Sequence, residues 1–347
     1  LPEHNYFASV KKVAVVILSW NGKKYLEQFL HSVIKNTSTD LCEIVVADNC
    51  STDGSVEYLQ TMFPQVRVIQ NKRNGGYAGG YNDALKLIDA EYFVLLNQDV
   101  EVTPLWVETV ISEMEGDLKI AAAQPKLIDY NKRTCFEYAG ASGGYVDALG
   151  YAYTRGRVFD TIEEDQGQYN DVVDVFWATG ACLFIRSDAF RKAGGLDEYF
   201  FAHQEEIDLC WRLKSLGYRN IVVPSSVVFH VGGGSLQYGN ARKTYLNFRN
   251  NLFLIFKNLP TSQLIWKLPV RMMLDGVAAI QSVWSNKNFK HLVAVLKAHF
   301  HFYVAIPSLI EKRNAIVRTT SAELSPVSIV WKYFASNKKK FLEIHPR

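Results

Sequence analysis

The chain lacks any CxxC pair, and its five cysteines are odd in number. That excludes a complete disulfide framework and the common zinc ribbons, so Cys42, Cys50, Cys135, Cys182 and Cys210 read as buried thiols of a reducing compartment. Neither G-x-G-x-x-G nor G-x-x-x-x-G-K-[ST] occurs, which removes the dinucleotide fingerprint and the P-loop. No apolar run reaches the ~18 residues a spanning helix needs. The first dozen residues hold no apolar segment of the signal-peptide kind. Internal repeats and low-complexity stretches are also missing. A net charge of +3 over 347 residues is too small to argue for nucleic acid. Together these absences predict a cytoplasmic protein that works on something other than DNA or RNA.

What is present is an alternating pattern. Residues 13–18 form a charge-free, β-branched run typical of a strand buried on both faces. Residues 44–47, 66–69 and 92–96 repeat that signal. Between them, Tyr25, Leu26, Phe29, Leu30 and Val33 recur at helical spacing, and 55–62 and 77–87 read as helices. Strands alternating with helices at this pitch predict βαβ crossovers and an α/β, Rossmann-like, mostly parallel sheet flanked by helices. Further on, 176–185 reads as a strand, 221–224 and 227–229 as two more, and 130–173 as irregular strands and loops over the site.

Ligands of such sheets bind at the carboxyl ends of the strands. The post-strand residues are therefore the candidates: 19–22, 48–55, 70–80 and 97–101. Asp48, directly at a strand end, is placed to bind a ribose hydroxyl or a base edge. Asp53 reads as a helix cap. The stretch 74–80, with Gly75 and Gly79, could bring backbone N–H groups to a diphosphate or be a tight turn. Asp99 fits a hard divalent cation with Glu101 as helper, or a loop carboxylate before Pro104 at the first turn of a helix. His230, ahead of Gly232, Gly233 and Gly234, suits a metal or phosphate nearby.

The segment 205–212 carries Glu205, Glu206 and Asp208 at the start of a helix. Ile207, Cys210 and Trp211 give that helix one apolar stripe. Asp208 and Arg212, four apart, read as a surface ion pair. For Glu205 and Glu206, a general base and a structural carboxylate stand as equal readings. After Tyr245 the character changes to basic, aromatic, amphipathic helices, with Arg242, Lys243, Arg249, Lys257, Lys267 and Arg271 along them. Such helices predict either contact with a membrane surface or packing on the main domain or another subunit.

Six stretches in order resemble family 2 glycosyltransferases of the GT-A fold, in particular the rhamnosyltransferase-like group of bacterial polysaccharide synthesis. They are residues 15–22, 46–55, 74–82, 95–99, 179–181 and 205–212, and the likeness covers roughly residues 11–260. The resemblance implies a GT-A domain over 1–260 and a C-terminal helical, membrane- or oligomer-associating region over 261–347. It implies a nucleotide-sugar donor (dTDP-, UDP- or GDP-linked) held by Ser19, Asn21, Asp48, Asn49, Asn74, Gly75, Gly79, Asn97 and Asp99. Asp99 stands at the last position of the family's metal-binding D-x-D, where this chain reads Asn97-Gln98-Asp99. Mg²⁺ or Mn²⁺ would sit there, with His230 and Glu101 as further ligands. Glu206 occupies the catalytic-base position, with Glu205 its rival. The implied reaction is transfer with inversion to a saccharide or polyprenyl-linked acceptor at the inner face of the plasma membrane. A nucleotidyltransferase and a catalytically silent saccharide-binding module are the alternatives.

Overall fold

The run at 13–18 is apolar because the strand it forms lies at the centre of a sheet and meets water on neither face. In the computed structural model, which describes residues 11–232, 240–286 and 289–346, this is β1 (Val13–Ser19). Helix α1 (Lys23–Asn36), β2 (Cys42–Asp48), α2 (Ser55–Met62), β3 (Arg67–Gln70), α3 (Gly76–Leu85) and β4 (Tyr92–Asn97) follow in the predicted alternation. Next come β5 (Val100–Val102), α4 (Trp106–Gly116) and the long β6 (Ile120–Asp129). Four short strands, β7 (Gly144–Val146), β8 (Ala152–Thr154), β9 (Arg157–Val158) and β10 (Thr161–Ile162), precede β11 (Val173–Val175) and β12 (Cys182–Arg186). The chain ends in α5 (Ser187–Lys192), α6 (Glu205–Ser215), β13 (Arg219–His230), α7 (Ala241–Asn258), α8 (Thr261–Asn286), α9 (Phe289–Ala315) and α10 (Phe341–Ile344).

The main sheet runs β11-β13-β6-β12-β4-β1-β2-β3, with β5 also on β13. Strands β1 to β4 are parallel to one another, as are β6 and β13; β12, β11 and β5 run antiparallel to the strands they pair with. Register decides where the site lies. Ser19 pairs with Asp48 and Leu18 with Asn97, so three parallel strands end at one level. Their last residues converge on the same crevice, as the topology of a parallel sheet requires.

Several local expectations need amending. The region read as irregular contains a four-stranded antiparallel sheet, β7 to β10. The two strands read at 221–229 are one continuous β13. Its register against β6 shifts between Val223 and Val227, so Pro224 sits at an irregularity that needs no N–H. The strand read at 176–185 begins only at Cys182, because Phe176 and Trp177 turn their backbone to Gly144 of the small sheet and side chains hold much of the rest. Ala178 N donates to Cys210 Sγ, Thr179 N to Gln124 Oε1, and Asn220 Nδ2 to Phe176 O. Helix α4 starts two residues after Pro104. All five cysteines are free, but Cys50 is exposed, with a positive φ of 65° in the loop after β2.

Helix α6 was expected to bury one stripe. It is buried nearly all round, because α7 covers the face turned from the sheet. Trp211 stands edge-on to Phe176 at 5.1 Å between ring centres. The apolar core on this side includes Ile207 and Leu209 of α6, Leu252 to Ile255 of α7, and Phe302, Ala305 and Leu309 of α9. It therefore continues across residue 260. The tail returns to the small sheet, where Tyr333, Phe341 and Ile344 pack with Phe136 and Tyr153. By length and composition α9 could cross a bilayer, although the sequence holds no uninterrupted apolar run there. Its inner face (Ala294, Ala298, Phe302, Leu309) is buried against the protein.

Candidate active site

At the ends of β1, β2 and β4, polar atoms are buried without partners. Ser19 Oγ, Asp48 Oδ1 and Gln98 Oε1 all lack a hydrogen bond. A buried polar group is ordinarily satisfied, so three orphans in one place mark a surface shaped for a ligand's polar groups. Asp48 keeps its other oxygen on Ser51 N at 3.1 Å, which fixes the carboxylate and leaves Oδ1 for a ligand. Gly22 closes the floor: a Cβ there would lie 1.8 Å from Gln98 Oε1 and 2.7 Å from Ser19 Oγ. Gln98, the middle residue of the Asn-Gln-Asp triplet, was not singled out in the sequence, although it lies inside a motif that was.

The amide-bearing candidates face the scaffold. Asn21 N donates to Ser51 Oγ and Asn21 Oδ1 accepts from Thr52 N, tying the first post-strand loop to the second. Asn49 Nδ2 donates to Asn74 Oδ1 and Gly76 O, and its Oδ1 accepts from Gly75 N and Asn71. Asp53 caps across loops: it accepts from Lys23 N at the start of α1 and from Ser55 N at the start of α2. At Gly75 a Cβ would strike the backbone of Gly79 and Gly80, so glycine is needed for the turn itself. Gly79 faces the Glu198 carboxylate. In the stretch read either as a diphosphate cradle or as a tight turn, the N–H groups of Tyr77 and Ala78 at the start of α3 donate to the carbonyl of Phe201 at 2.7 and 3.3 Å.

A second cluster centres on His230. Its Nε2 lies 3.3 Å from Asp99 Oδ1 and 3.3 Å from Asn97 Nδ2. Its Nδ1 lies 3.2 Å from Glu137 Oε1, a charge contact rather than an aligned hydrogen bond. Burial disfavours the imidazolium, but the two carboxylates outweigh burial and push His230 up to about 10. Burial likewise opposes the charge on Asp99 and Glu137, and His230 nonetheless holds both below their usual range. Glu137 is further fixed by Ala139 N and Gly140 N. It lies in the aperiodic middle region, where nothing in the sequence pointed to it. Glu101, expected beside Asp99, is paired with Arg133 at 3.0 Å. Among the described residues no three His, Cys, Asp or Glu side chains group as a metal cage. Gly233 and Gly234, read with His230, lie outside the described residues.

Glu205 and Glu206 open α6. Burial, followed by the neighbouring Glu206, pushes Glu205 well above the ordinary carboxylate range. Burial pushes Glu206 up to about 7. Both keep Oε2 unpaired. Tyr77 is close enough to feel both charges, and its hydroxyl donates to Gly180 O at 2.6 Å. Asp208, read as half of a surface pair, is fully buried. It meets Arg212 at 2.9 Å, Lys257 at 2.9 Å and Asn258 Nδ2 at 2.8 Å. The pairing with Arg212 holds, but α7 has closed over it.

This arrangement sets unpartnered polar atoms at three strand ends, an ionised carboxylate at Asp99, and two carboxyls raised by burial at the start of α6, Glu206 to about 7. Over 286 residues the chain is 26% identical to the N-acetylglucosaminyl-diphospho-decaprenol L-rhamnosyltransferase of Mycobacterium tuberculosis, covering 77% of this chain and 91% of the relative. Its fold is similar to GalNAc-T7 solved with UDP, GalNAc and Mn²⁺ (TM-score 0.58, 17% identity, 87% of this chain but only 58% of that longer one). It is also similar to residues 1–349 of S. aureus TarS (TM-score 0.55, 15% identity, 88% and 83%). The family model described as glycosyl transferase family 2 matches residues 14–192, and with that match over half its length the chain belongs to this glycosyltransferase family, with a GT-A fold.

Proposed function

We propose that this glycosyltransferase moves a sugar, with inversion, from a nucleotide-sugar to a lipid-linked saccharide in the synthesis of a bacterial surface polysaccharide. The observation that carries the reading is the Glu205–Glu206 pair. A buried carboxyl near neutrality with no ion-pair partner among the described residues suits a general base, because it can take a proton at working pH. Glu206 takes the acceptor hydroxyl proton as the hydroxyl oxygen attacks the anomeric carbon. Asp48, through its unpaired Oδ1, and Ser19 bind the nucleoside. The nucleoside diphosphate then leaves from the face opposite the attack.

Mg²⁺ or Mn²⁺ fits this site in part. Asp99 offers one hard, ionised oxygen ligand, and water and donor phosphates commonly supply the rest of such a shell. His230 has both ring nitrogens turned to carboxylates and Glu101 is paired with Arg133, so neither is free to join it as arranged. When bound, the cation would stabilise charge on the leaving diphosphate. The test is transfer from dTDP-, UDP- and GDP-sugars to an N-acetylglucosaminyl-diphospho-polyprenol, with each metal and with EDTA. One donor should give glycoside product and lose it in EDTA. Full activity in EDTA would overturn the metal dependence, and no product from any donor would overturn the transfer reading.

The C-terminal region supports docking at the cytoplasmic face of a membrane. The outer faces of α8 and α9 expose Trp266, Met273, Ile280, Trp284, Phe289, Leu296 and Phe300, beside Lys290 and Lys297. Between residues 261 and 310 the single acid is Asp275, which is buried. A broad apolar patch without exposed negative charge suits anionic lipid. Each basic residue near such a surface contributes about 1 kcal/mol. Sedimentation with anionic liposomes should therefore be strong at low salt and weak at high salt. Protein that stays in solution at low salt, and runs as a dimer, would assign the face to a second copy of the chain.

A further inference from the structure

The loop that delivers Glu205 and Glu206 holds a backbone its own residues do not favour. Phe201, His203 and Gln204 have φ of 65°, 72° and 71°, the left-handed region that side-chain-bearing residues rarely enter. The stretch from Phe200 to Glu206 contains no glycine to ease it. Backbone of this kind persists where the surroundings over-determine it.

The surroundings here are one turn of α7. The fully buried Nδ2 of Asn250 lies within hydrogen-bond distance of three carbonyl oxygens of the loop, its two N–H groups shared among Phe200 at 3.0 Å, Ala202 at 2.8 Å and His203 at 2.7 Å. Its Oδ1 accepts from Arg249 Nε at 2.9 Å, and Arg249 Nη2 reaches the carbonyls of Tyr199 and Phe200. Asn251 Nδ2 donates to Gln204 Oε1 at 3.2 Å, while Gln204 Nε2 donates to Asn247 O at 3.1 Å. From the opposite side, Phe201 O caps α3. The loop is thus gripped between α7 and the donor-side helix. Among the described residues, Asn250 alone gathers three of the loop's carbonyls onto one side-chain amide.

We infer that Asn250 is a positioning residue, whose side-chain amide pins the strained loop so that the Glu205–Glu206 pair faces the cleft. The role in catalysis rests on the base assignment made above; the pinning of the loop does not. Asparagine is suited to it because its nitrogen only donates, and the loop turns carbonyl acceptors toward it. Aspartate has nearly the same shape but turns an acceptor toward three carbonyls, so a defect in Asn250→Asp comes from hydrogen bonding and not from lost volume.

The experiment compares Asn250→Ala and Asn250→Asp with Leu254→Ala, a core truncation on the same helix, and with Glu206→Gln. Amide hydrogen exchange over 200–207 is read alongside the melting temperature, kcat and donor KM. A misaligned reacting group can cost about 10²-fold. Both Asn250 variants should therefore lose kcat on that order, with donor KM within about threefold, and should exchange faster at 200–207. Leu254→Ala should lower the melting temperature while keeping kcat and loop protection. Unchanged protection at 200–207 in folded Asn250→Ala overturns the pinning, whatever the activity. Faster exchange with kcat near wild type, where Glu206→Gln is dead, overturns the positioning role. If Leu254→Ala reproduces the kcat loss and faster exchange of the Asn250 variants, the effect is one of stability alone, and the positioning role fails. An active Glu206→Gln would instead refute the base assignment, while the exchange result still judges the pinning.

Discussion

Asp99 and Glu205 are buried almost equally, 4% and 3% exposed, yet their carboxyl groups are driven in opposite directions. Burial disfavours charge at both. Asp99 has His230 at 3.3 Å and stays ionised, whereas the charges that reach Glu205 are the carboxylates Glu206 and Asp208, and with burial they push it toward the neutral acid. Asp208, three residues along the same helix and fully buried, sides with Asp99 because Lys257 and Arg212 reach it. The comparison teaches that depth alone does not allot chemistry in this cleft. A cation within about 3 Å turns a buried carboxylate into a fixed charge. Its absence leaves a carboxyl that burial drives toward the neutral acid.

The sharpest way to break that contrast is to remove the proton-accepting oxygen. Glu206→Gln should lower kcat by ~10²–10⁴-fold with donor binding little changed, the usual contribution of a general base. Glu205→Gln should cost less or act on affinity. Steady-state kinetics with donor calorimetry checks this, and the reverse ranking would transfer the role to Glu205.

Lys257→Met probes the other side of the contrast by taking a cation from the buried pair. It would strip Asp208 and Asp197 of the ammonium lying 2.9 and 2.5 Å away. Breaking a buried pair from one side typically costs about 3–5 kcal/mol. Chemical denaturation should register a loss of that size. A loss below about 1 kcal/mol would mean that Arg212 and Lys312 suffice.

The smallest effect is in pH. Glu206 is raised from 4.5 to about 7, so between those values the folded state holds a proton that the unfolded state has released. Its contribution to stability is therefore lost as pH rises through that window. Asp99, lowered, contributes above its unfolded value near 3.8 and loses that contribution as pH falls. Melting temperatures of wild type and Glu206→Gln should agree best near pH 4.5 and diverge up to pH 7, the variant gaining. The kcat/KM of wild type should climb over the same window and level off above it. A flat difference between the proteins would place the titration elsewhere.

Much of this was legible in the chain. Charge-free runs at 13–18 and 92–96 need two covered faces, and only a central parallel sheet provides them. Local turn chemistry then put Asp48 at a strand end and Asp99 just beyond one, and register did the rest. Asp53 could be read as a cap from its place ahead of a helix. The exposure of Cys50 and the single strand through Pro224 could not be read, because each depends on a loop or bulge set by neighbours. Nor could Glu137, which meets His230 across 93 positions, or Asn250, which grips a loop some 47 residues earlier. The order of residues determined which segments form strands and helices, since period and propensity act within one element. Tertiary structure alone decided which carboxyls keep their charge, because that depends on which cations distant elements bring within a few ångströms in a medium that screens them poorly.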